Sequence, residues 1–270
     1  REEDVQHDFY RPATYNVLQA GLDNNGWPKA WTHRIVAPAI MDRLIPQFTP
    51  SMVPPWVPRP LKNLSAWLAG AFLPRFRTDE KATQGAAELA YAIENISVEY
   101  IKDDPGIPTG FWRSVYHSQN AFVVESFIDE IAAATGKDPF DLRRELLRKA
   151  PRLRAVLDLA ARKAGWRQRP PKGIHRGIAV HDYQGTAVAQ VAEVSVDPKG
   201  KVKVHRVVCA VDCGIVVNPK IVEAQMESAI AFGLTATLKS AVTIRKGRVE
   251  QSNFDDFPLL RMDEMPKVEV

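Results

Sequence analysis

Two polar side chains stand where chemistry could be done. Phe111-Trp112-Arg113-Ser114 follows a glycine and precedes a helical pattern. The Arg113 guanidinium, a planar fork of donors, can hold an anionic group bidentately while the aromatics wall off water. The plainer reading is a surface turn with the arginine stacked on Trp112. Gln225 sits about two turns into an apolar helical run. A primary amide offers donor and acceptor together, which suits a ring with N–H and C=O edges and equally an ordinary core hydrogen bond. Upstream, VVCAVDCGIVVNP puts Asp212 and Gly214 at the end of an apolar strand and Asn218-Pro219 at the start of that helix. A polar corner aimed at a helix N-terminus can cradle an anion or a phosphate.

Other chemistries lack their spacing. The six histidines, at 7, 33, 117, 175, 181 and 205, form no His-x3-His or His-Glu-x-x-His pair, the arrangements that hold zinc on one helix face. Cys209 and Cys213 would be roughly 13 Å apart on an extended strand, too far for a disulfide. Two cysteines cannot ligate an iron–sulfur cluster alone. No serine-nucleophile motif, P-loop or dinucleotide fingerprint is present. Asp255-Asp256 and Asp263-Glu264 read as solvated turn acids. A net charge of +4 is too weak a bias to argue for nucleic acid. Residues 143–176, however, hold twelve Lys or Arg against Glu145 and Asp158. That stretch reads as a solvated helical face, or as a docking surface for an acidic protein or membrane headgroups.

The elements that must position these residues follow from pattern. The composition, 45% hydrophobic and 25% charged, is globular. Residues 13–36 read as a hairpin turning at Asp23-Asn24-Asn25-Gly26. Eight prolines between Pro38 and Pro74 predict an irregular excursion with at most short helices. Trp56, Trp67, Phe72 and Leu73 make it apolar: a loop packed on its own domain, or a lid or partner-contact segment. A strand is expected over 96–101. A helix follows over 119–134, capped by Ser118 and ended by Gly136, burying Val124, Phe127, Ile128 and Ile131, with Phe122 and Val123 widening that face. Helices should start at Asp138-Pro139 and at Pro151, the latter running to about Lys163. Strands are expected over 174–183, 187–196, 202–211 and 242–249. The run 219–238, apolar on nearly every side, predicts a central buried helix. No stretch is apolar for long enough to span a bilayer. Both ends, Arg1 and PKVEV, read as cut inside a larger structure, so a fragment or one piece of a split domain is expected.

Taken together and in order, REEDVQHDFYRPA, GFWRSVYHSQNAFVVESFIDE, GKDPFDLRRELL, VVCAVDCGIVVNPKIVEAQMESAIAFGL and QSNFDDFPLLRMDEMPKVEV resemble the large, molybdenum-binding subunit of the xanthine dehydrogenase and aldehyde oxidase superfamily. The likeness is to the branch holding isoquinoline 1-oxidoreductase beta subunits and molybdopterin-binding aldehyde dehydrogenases. The resemblance implies an α+β fold of mixed sheets with buried helices, part of a molybdopterin-binding domain completed by segments outside this chain. It implies one portion over 1–110, with the Pro-rich excursion at 38–74, and a second over 111–270. The implied cofactor is molybdopterin with molybdenum, in its cytosine dinucleotide form, touched by Trp112, Arg113, Ser114 and Gln225.

The family's catalytic glutamate, in a Gly-Val-Gly-Glu segment, is expected beyond Val270, and its GGGFG-like segment before Arg1. No catalytic residue is therefore assigned here, and the isolated chain is expected to be inactive. Gln225-Met226-Glu227-Ser228-Ala229 departs from the usual Gln-x-Glu-Gly-Gly. The implied activity is hydroxylation of an electron-poor carbon, of an aldehyde or an N-heteroaromatic ring, with oxygen drawn from water. The implied partners are a small iron–sulfur subunit that takes the electrons, a cytochrome c subunit, the remaining segments of the large subunit and a small-molecule substrate, with no nucleic acid. Export of relatives makes the periplasm the expected location, with the cytoplasm as the alternative. The competing reading is a non-catalytic docking module of a redox complex.

Overall fold

In the structure, a computed structural model, residues 9–76 and 79–270 are described. The opening REEDVQHD of the first resembling segment and the side chain of Leu73 lie outside the described residues. The described residues form two compact units: Phe9–Leu89 with Ile93–Ile131, and Ala90–Ala92 with Ala132–Val270. The fold is α+β, with mixed sheets and helices.

In the first unit, β1 (Tyr15–Leu22) and β2 (Pro28–Ala37) make the expected hairpin. Asp23 Oδ1 accepts from the Asn25 and Trp27 amides at 2.9 Å each, and Gly26 supplies a φ of 74°, the left-handed geometry that glycine adopts without strain. The inward row of β2 is Trp31, His33 and Ile35, all buried. Burial pushes the His33 imidazole down to about 4, and its Nε2 lies 2.9 Å from Asn16 Oδ1. The strand pairs in parallel with β3 (Asn95–Lys102), as a mixed sheet requires.

The proline excursion differs from expectation. It forms two helices, α1 (Ile40–Met52) and α2 (Arg59–Phe76), packed as a helical hairpin. Some of its prolines sit where helices tolerate them, while Pro46 and Pro50 lie inside α1 and Pro74 within the span of α2. Pro60 lies in the first turn of α2, whose N–H groups have no intrahelical acceptor. Pro54, Pro55 and Pro58 fall in the connection. Pro46 and Pro50, four apart, put their missing donors on one side of α1, where the Thr49 hydroxyl donates to the Ile45 carbonyl at 2.7 Å. A Cβ at Gly70 would come within 2.9 Å of Pro46 Cγ, so glycine is what lets the two helices close. Tyr116 anchors the hairpin's start. Its hydroxyl donates to Pro38 O at 2.6 Å and accepts from the Ile40 amide at 3.3 Å.

α3 (His117–Thr135) ends at Gly136, φ 65°, as expected. It begins earlier than expected. Ser118 lies inside its first turn and donates to Val115 O at 2.9 Å instead of capping. Val124, Ile128 and Ile131 are buried, and the Phe127 ring meets Trp31 edge-on at 4.9 Å. Phe122 faces out.

In the second unit, α4 (Pro139–Leu146) starts as predicted, with Asp138 Oδ1 accepting from the Phe140 and Asp141 amides at 2.9 and 3.1 Å. α5 (Pro151–Lys163) packs on the antiparallel meander of β4 (His175–Tyr183), β5 (Thr186–Val196) and β6 (Val202–Asp212). α6 (Pro219–Leu238) follows. The strand expected over 242–249 is instead a tight hairpin of β7 (Ile244–Arg245) and β8 (Arg248–Val249), because Lys246 and Gly247 both take positive φ. β9 (Lys267–Glu269) then pairs in parallel with β6.

A row of alternating charge crosses all four strands of this sheet. Arg176 on β4 meets Glu193 on β5 at 2.8 Å, Glu193 meets Arg206 on β6 at 3.7 Å, and Arg206 meets Glu269 on β9 at 2.8 Å. Arg176 also donates to the Gly165 and Gln168 carbonyls, tying the end of α5 to the sheet.

α6 is not the buried helix its composition predicted. Only Ile230 is buried; with Met226 and Leu234 it covers Val204, Val207 and Cys209. Ile221, Phe232 and Leu238 are exposed, because the sheet offers α6 a single face.

Candidate functional site

The turn before α3 carries three of the four predicted site residues. Trp112, Arg113 and Ser114 stand together there, in the unit of Phe9–Leu89 and Ile93–Ile131. The arginine over the Trp112 ring is Arg11, with Cζ 5.1 Å from the centroid, and the Arg113 side chain is exposed. Ser114 Oγ donates to Arg113 O at 2.6 Å. The backbone then enters the left-handed region twice in succession, at Ser114 (φ 59°) and Val115 (φ 52°). A β-branched residue in that region is a genuine outlier. Strain of this kind persists only where surrounding structure holds it, and it gathers at functional sites. Val115 N bonds to Trp112 O at 2.9 Å and His117 N to Ser114 O at 3.0 Å, so the turn is pinned at both ends.

Two more polar groups of this segment went unnoticed in the sequence. Thr109 Oγ1 and Gln119 Nε2 are buried with no hydrogen-bond partner. Such groups cost free energy unless something satisfies them. The Gln119 amide oxygen lies 2.7 Å from Ser118 Oγ, which shares its single proton between that oxygen and Val115 O. Periodicity alone does not flag a glutamine in the first turn of a helix.

Gln225 belongs to the other unit. It stands on the exposed side of α6, where its amide has no partner among the described residues. Toward the C-terminus of the helix its neighbours are the small Ser228 and Ala229, and one turn back stands the exposed Ile221. The Asp212 corner is not an open anion cradle. Arg152 holds Asp212, donating from Nε at 2.7 Å, and the Gly214 amide adds a bond at 3.1 Å. Arg152 and that amide push the carboxyl down to about 2. Asn218 Oδ1 already accepts from the Lys220 amide at 3.0 Å, capping α6. The chain's own oxygens fill this helix N-terminus. Of the nearby thiols, Cys209 is buried, which pushes it up to about 11, and Cys213 is exposed.

Residues 144–266 match the family model of a molybdopterin cofactor-binding domain. The α+β arrangement described above is the architecture of such a domain. The beta subunit of isoquinoline 1-oxidoreductase from Brevundimonas diminuta is 33% identical over 212 residues, covering 76% of this chain and 27% of that protein. The B subunit of nicotinate dehydrogenase from Pseudomonas putida is 31% identical over 198 residues, covering 67% of this chain and 17% of that protein. The chain thus spans about a quarter, or less, of the curated relatives it matches. The crystal structure of quinoline 2-oxidoreductase from Pseudomonas putida 86 superposes with a TM-score of 0.75 over 99% of this chain and 56% of that one, at 12% identity, a likeness of fold. At the family level the match is to a molybdopterin-binding domain of the kind found in the molybdenum hydroxylases.

The residues present suit such a cofactor. Molybdopterin is an anionic heterocycle edged with donors and acceptors. The turn offers a guanidinium and, nearby in sequence, a buried amide donor without a partner; α6 offers an unpaired amide with small side chains on its C-terminal side.

Proposed function

We propose that this chain is part of the molybdenum-cofactor-binding subunit of an oxidoreductase that hydroxylates an electron-poor carbon with oxygen from water and passes the electrons to iron–sulfur clusters on a separate subunit. The match of residues 144–266 to a molybdopterin-binding domain carries the reading. Two relatives are named for isoquinoline and nicotinate and a third, at 29% identity, for an aldehyde, so both an N-heteroaromatic ring and an aldehyde belong to the proposed substrate class. Bound molybdopterin would supply the redox-active molybdenum. The protein's part is to bind and orient. Arg113 would pair with an anionic group of the cofactor. The Gln225 amide would meet a ring edge with one donor and one acceptor. Trp112, stacked under Arg11, and Ser114 would keep the turn rigid and water away. No general base is assigned among these residues; that role would fall to a glutamate beyond Val270. A separate cytochrome c subunit and a periplasmic location remain part of the proposal.

The test is molybdenum analysis of the native complex, with turnover of isoquinoline, nicotinate and an aldehyde using an artificial electron acceptor. The complex should carry bound molybdenum and hydroxylate at least one of the three. Arg113→Ala and Gln225→Ala should each lower molybdenum content roughly tenfold, as loss of a supporting contact does at metal sites. A metal-free native complex that turns over none of the three would end the proposal. Full metal content in both variants would reassign the contacts.

A further inference from the structure

In the helical hairpin, α1 buries Ile40 and Leu44, but α2 is built inside out. In α2 the half-buried face toward α1 is made of Ser65, Ala66, Ala69 and Gly70, and Gly70 comes close enough to Pro46 to exclude any side chain. Its large apolar residues point the other way. Leu61, Leu64, Leu68 and Phe72 recur at three- and four-residue steps, which makes one stripe along a helix, and all four are exposed. Trp67 flanks the stripe, 65% exposed. On α1 and the connection, Met52 is 81% and Trp56 82% exposed, with Phe48 beside them in the row. At 150–250 Å² per aromatic side chain, the four exposed rings alone present on the order of 500 Å², already the size of the largest apolar patch on an ordinary monomer.

The sequence of this segment carries charge of one sign. Between Asp42 and Asp79 the sequence has no acid and five bases, at positions 43, 59, 62, 75 and 77. The backbone of the connection is also unusual. Pro54, Pro55, Pro58 and Pro60 remove four N–H groups around Trp56, and these are the groups that cost most to place in hydrocarbon. No described helix is long and apolar enough to cross a membrane, and an α2 of 18 residues measures only about 27 Å.

We infer that this hairpin is a membrane-surface anchor: it lays Trp56, Trp67 and the Leu61–Phe72 stripe into the headgroup–acyl boundary of a bilayer containing anionic phospholipid. Aromatic and leucine side chains in one patch, a segment sequence with bases and no acids, and a tip poor in backbone donors together fit a lipid interface. A protein interface core is also rich in aromatics, Met and Arg, so the test includes shielding of Trp56 by a protein subunit as an overturning outcome. The inference stands on unit geometry alone and does not depend on the cofactor reading.

The test uses the native full-length protein and sedimentation with vesicles of about seven parts phosphatidylcholine to three parts phosphatidylglycerol. The protein should bind them, with a blue shift in tryptophan emission, and should bind pure phosphatidylcholine about tenfold more weakly. Trp56→Ser with Trp67→Ser, both at exposed positions, should lose about tenfold in vesicle binding while keeping helical circular dichroism and molybdenum content. Arg59→Glu with Lys62→Glu should abolish only the preference for anionic lipid. The inference is overturned if the native protein ignores the mixed vesicles, or if the tryptophan pair binds them as well as the parent. It is also overturned if a protein subunit shields Trp56 from a soluble quencher without lipid.

Discussion

At the residue scale the most informative feature is conformational. Arg113 was legible as a candidate because an arginine beside two aromatics in a turn before a helix is an unusual grouping. The left-handed pair behind it was not, because Ser and Val carry no signal for positive φ. That conformation costs L residues roughly 1–2 kcal/mol each, against the smaller entropic cost of glycine. Ser114→Gly should therefore raise stability by about 0.5–1 kcal/mol in urea unfolding. If the strain serves binding, the same change loosens the turn and lowers cofactor retention. A loss of stability would show that the turn is not strained at that position. Gln119 and Thr109 were equally silent: an unsatisfied donor is a property of packing, visible only once neighbours are placed.

At the element scale, start signals were the most legible. Asp138 caps α4 as its position before Pro139 required, and it does more than the sequence told, accepting from Trp166 Nε1 at 3.1 Å. Asp138→Ala should cost about 2 kcal/mol, one cap and one side-chain bond together. Asp138→Asn should recover about half of it, read from thermal unfolding. A neutral Asp138→Ala would mean the cap is replaced by solvent. The errors at this scale share a cause. Proline density predicted irregularity over 38–74, yet only Pro54, Pro55 and Pro58 fall in the connection, Pro60 falls in a first turn, and α1 and α2 form although Pro46, Pro50 and Pro74 lie within them. Apolar composition predicted a buried α6, yet composition reports what a helix could bury, not what stands beside it. α2 repeats that lesson, since its Leu61, Leu64, Leu68 and Phe72 face outward and its small residues inward.

At the scale of the whole molecule, charge is arranged more tightly than the basic stretch suggested. Of its twelve cations, Arg144 pairs with Asp158, Arg152 with Asp212, Arg167 with Asp141 and Arg176 with Glu193, while Arg143 is buried. Much of the apparent docking surface is paired in a way that spacing alone does not reveal, because three of these four acids, Asp141, Glu193 and Asp212, lie outside the stretch. The far end of the row across the sheet gives a pH prediction. Arg206 first, then Lys267, push Glu269 down to about 2. A carboxylate depressed in the folded state stabilises above its ordinary value and loses that contribution as pH falls toward the depressed one. Amide protection at 267–269, corrected for intrinsic exchange, should thus be full above about pH 4.5 and decline toward pH 2. Glu269→Gln should remove that dependence; an unchanged profile in the variant would assign the decline to another group.

That same row bears on the order of synthesis. β4, β5 and β6 are consecutive and can zip as they emerge, but the strand that completes the sheet leaves the ribosome more than fifty residues later. Until it does, β6 has an open edge and Arg206 has Glu193 as its one anionic neighbour in the row. A nascent chain paused within α6 is therefore at its most vulnerable to pairing with the wrong strand.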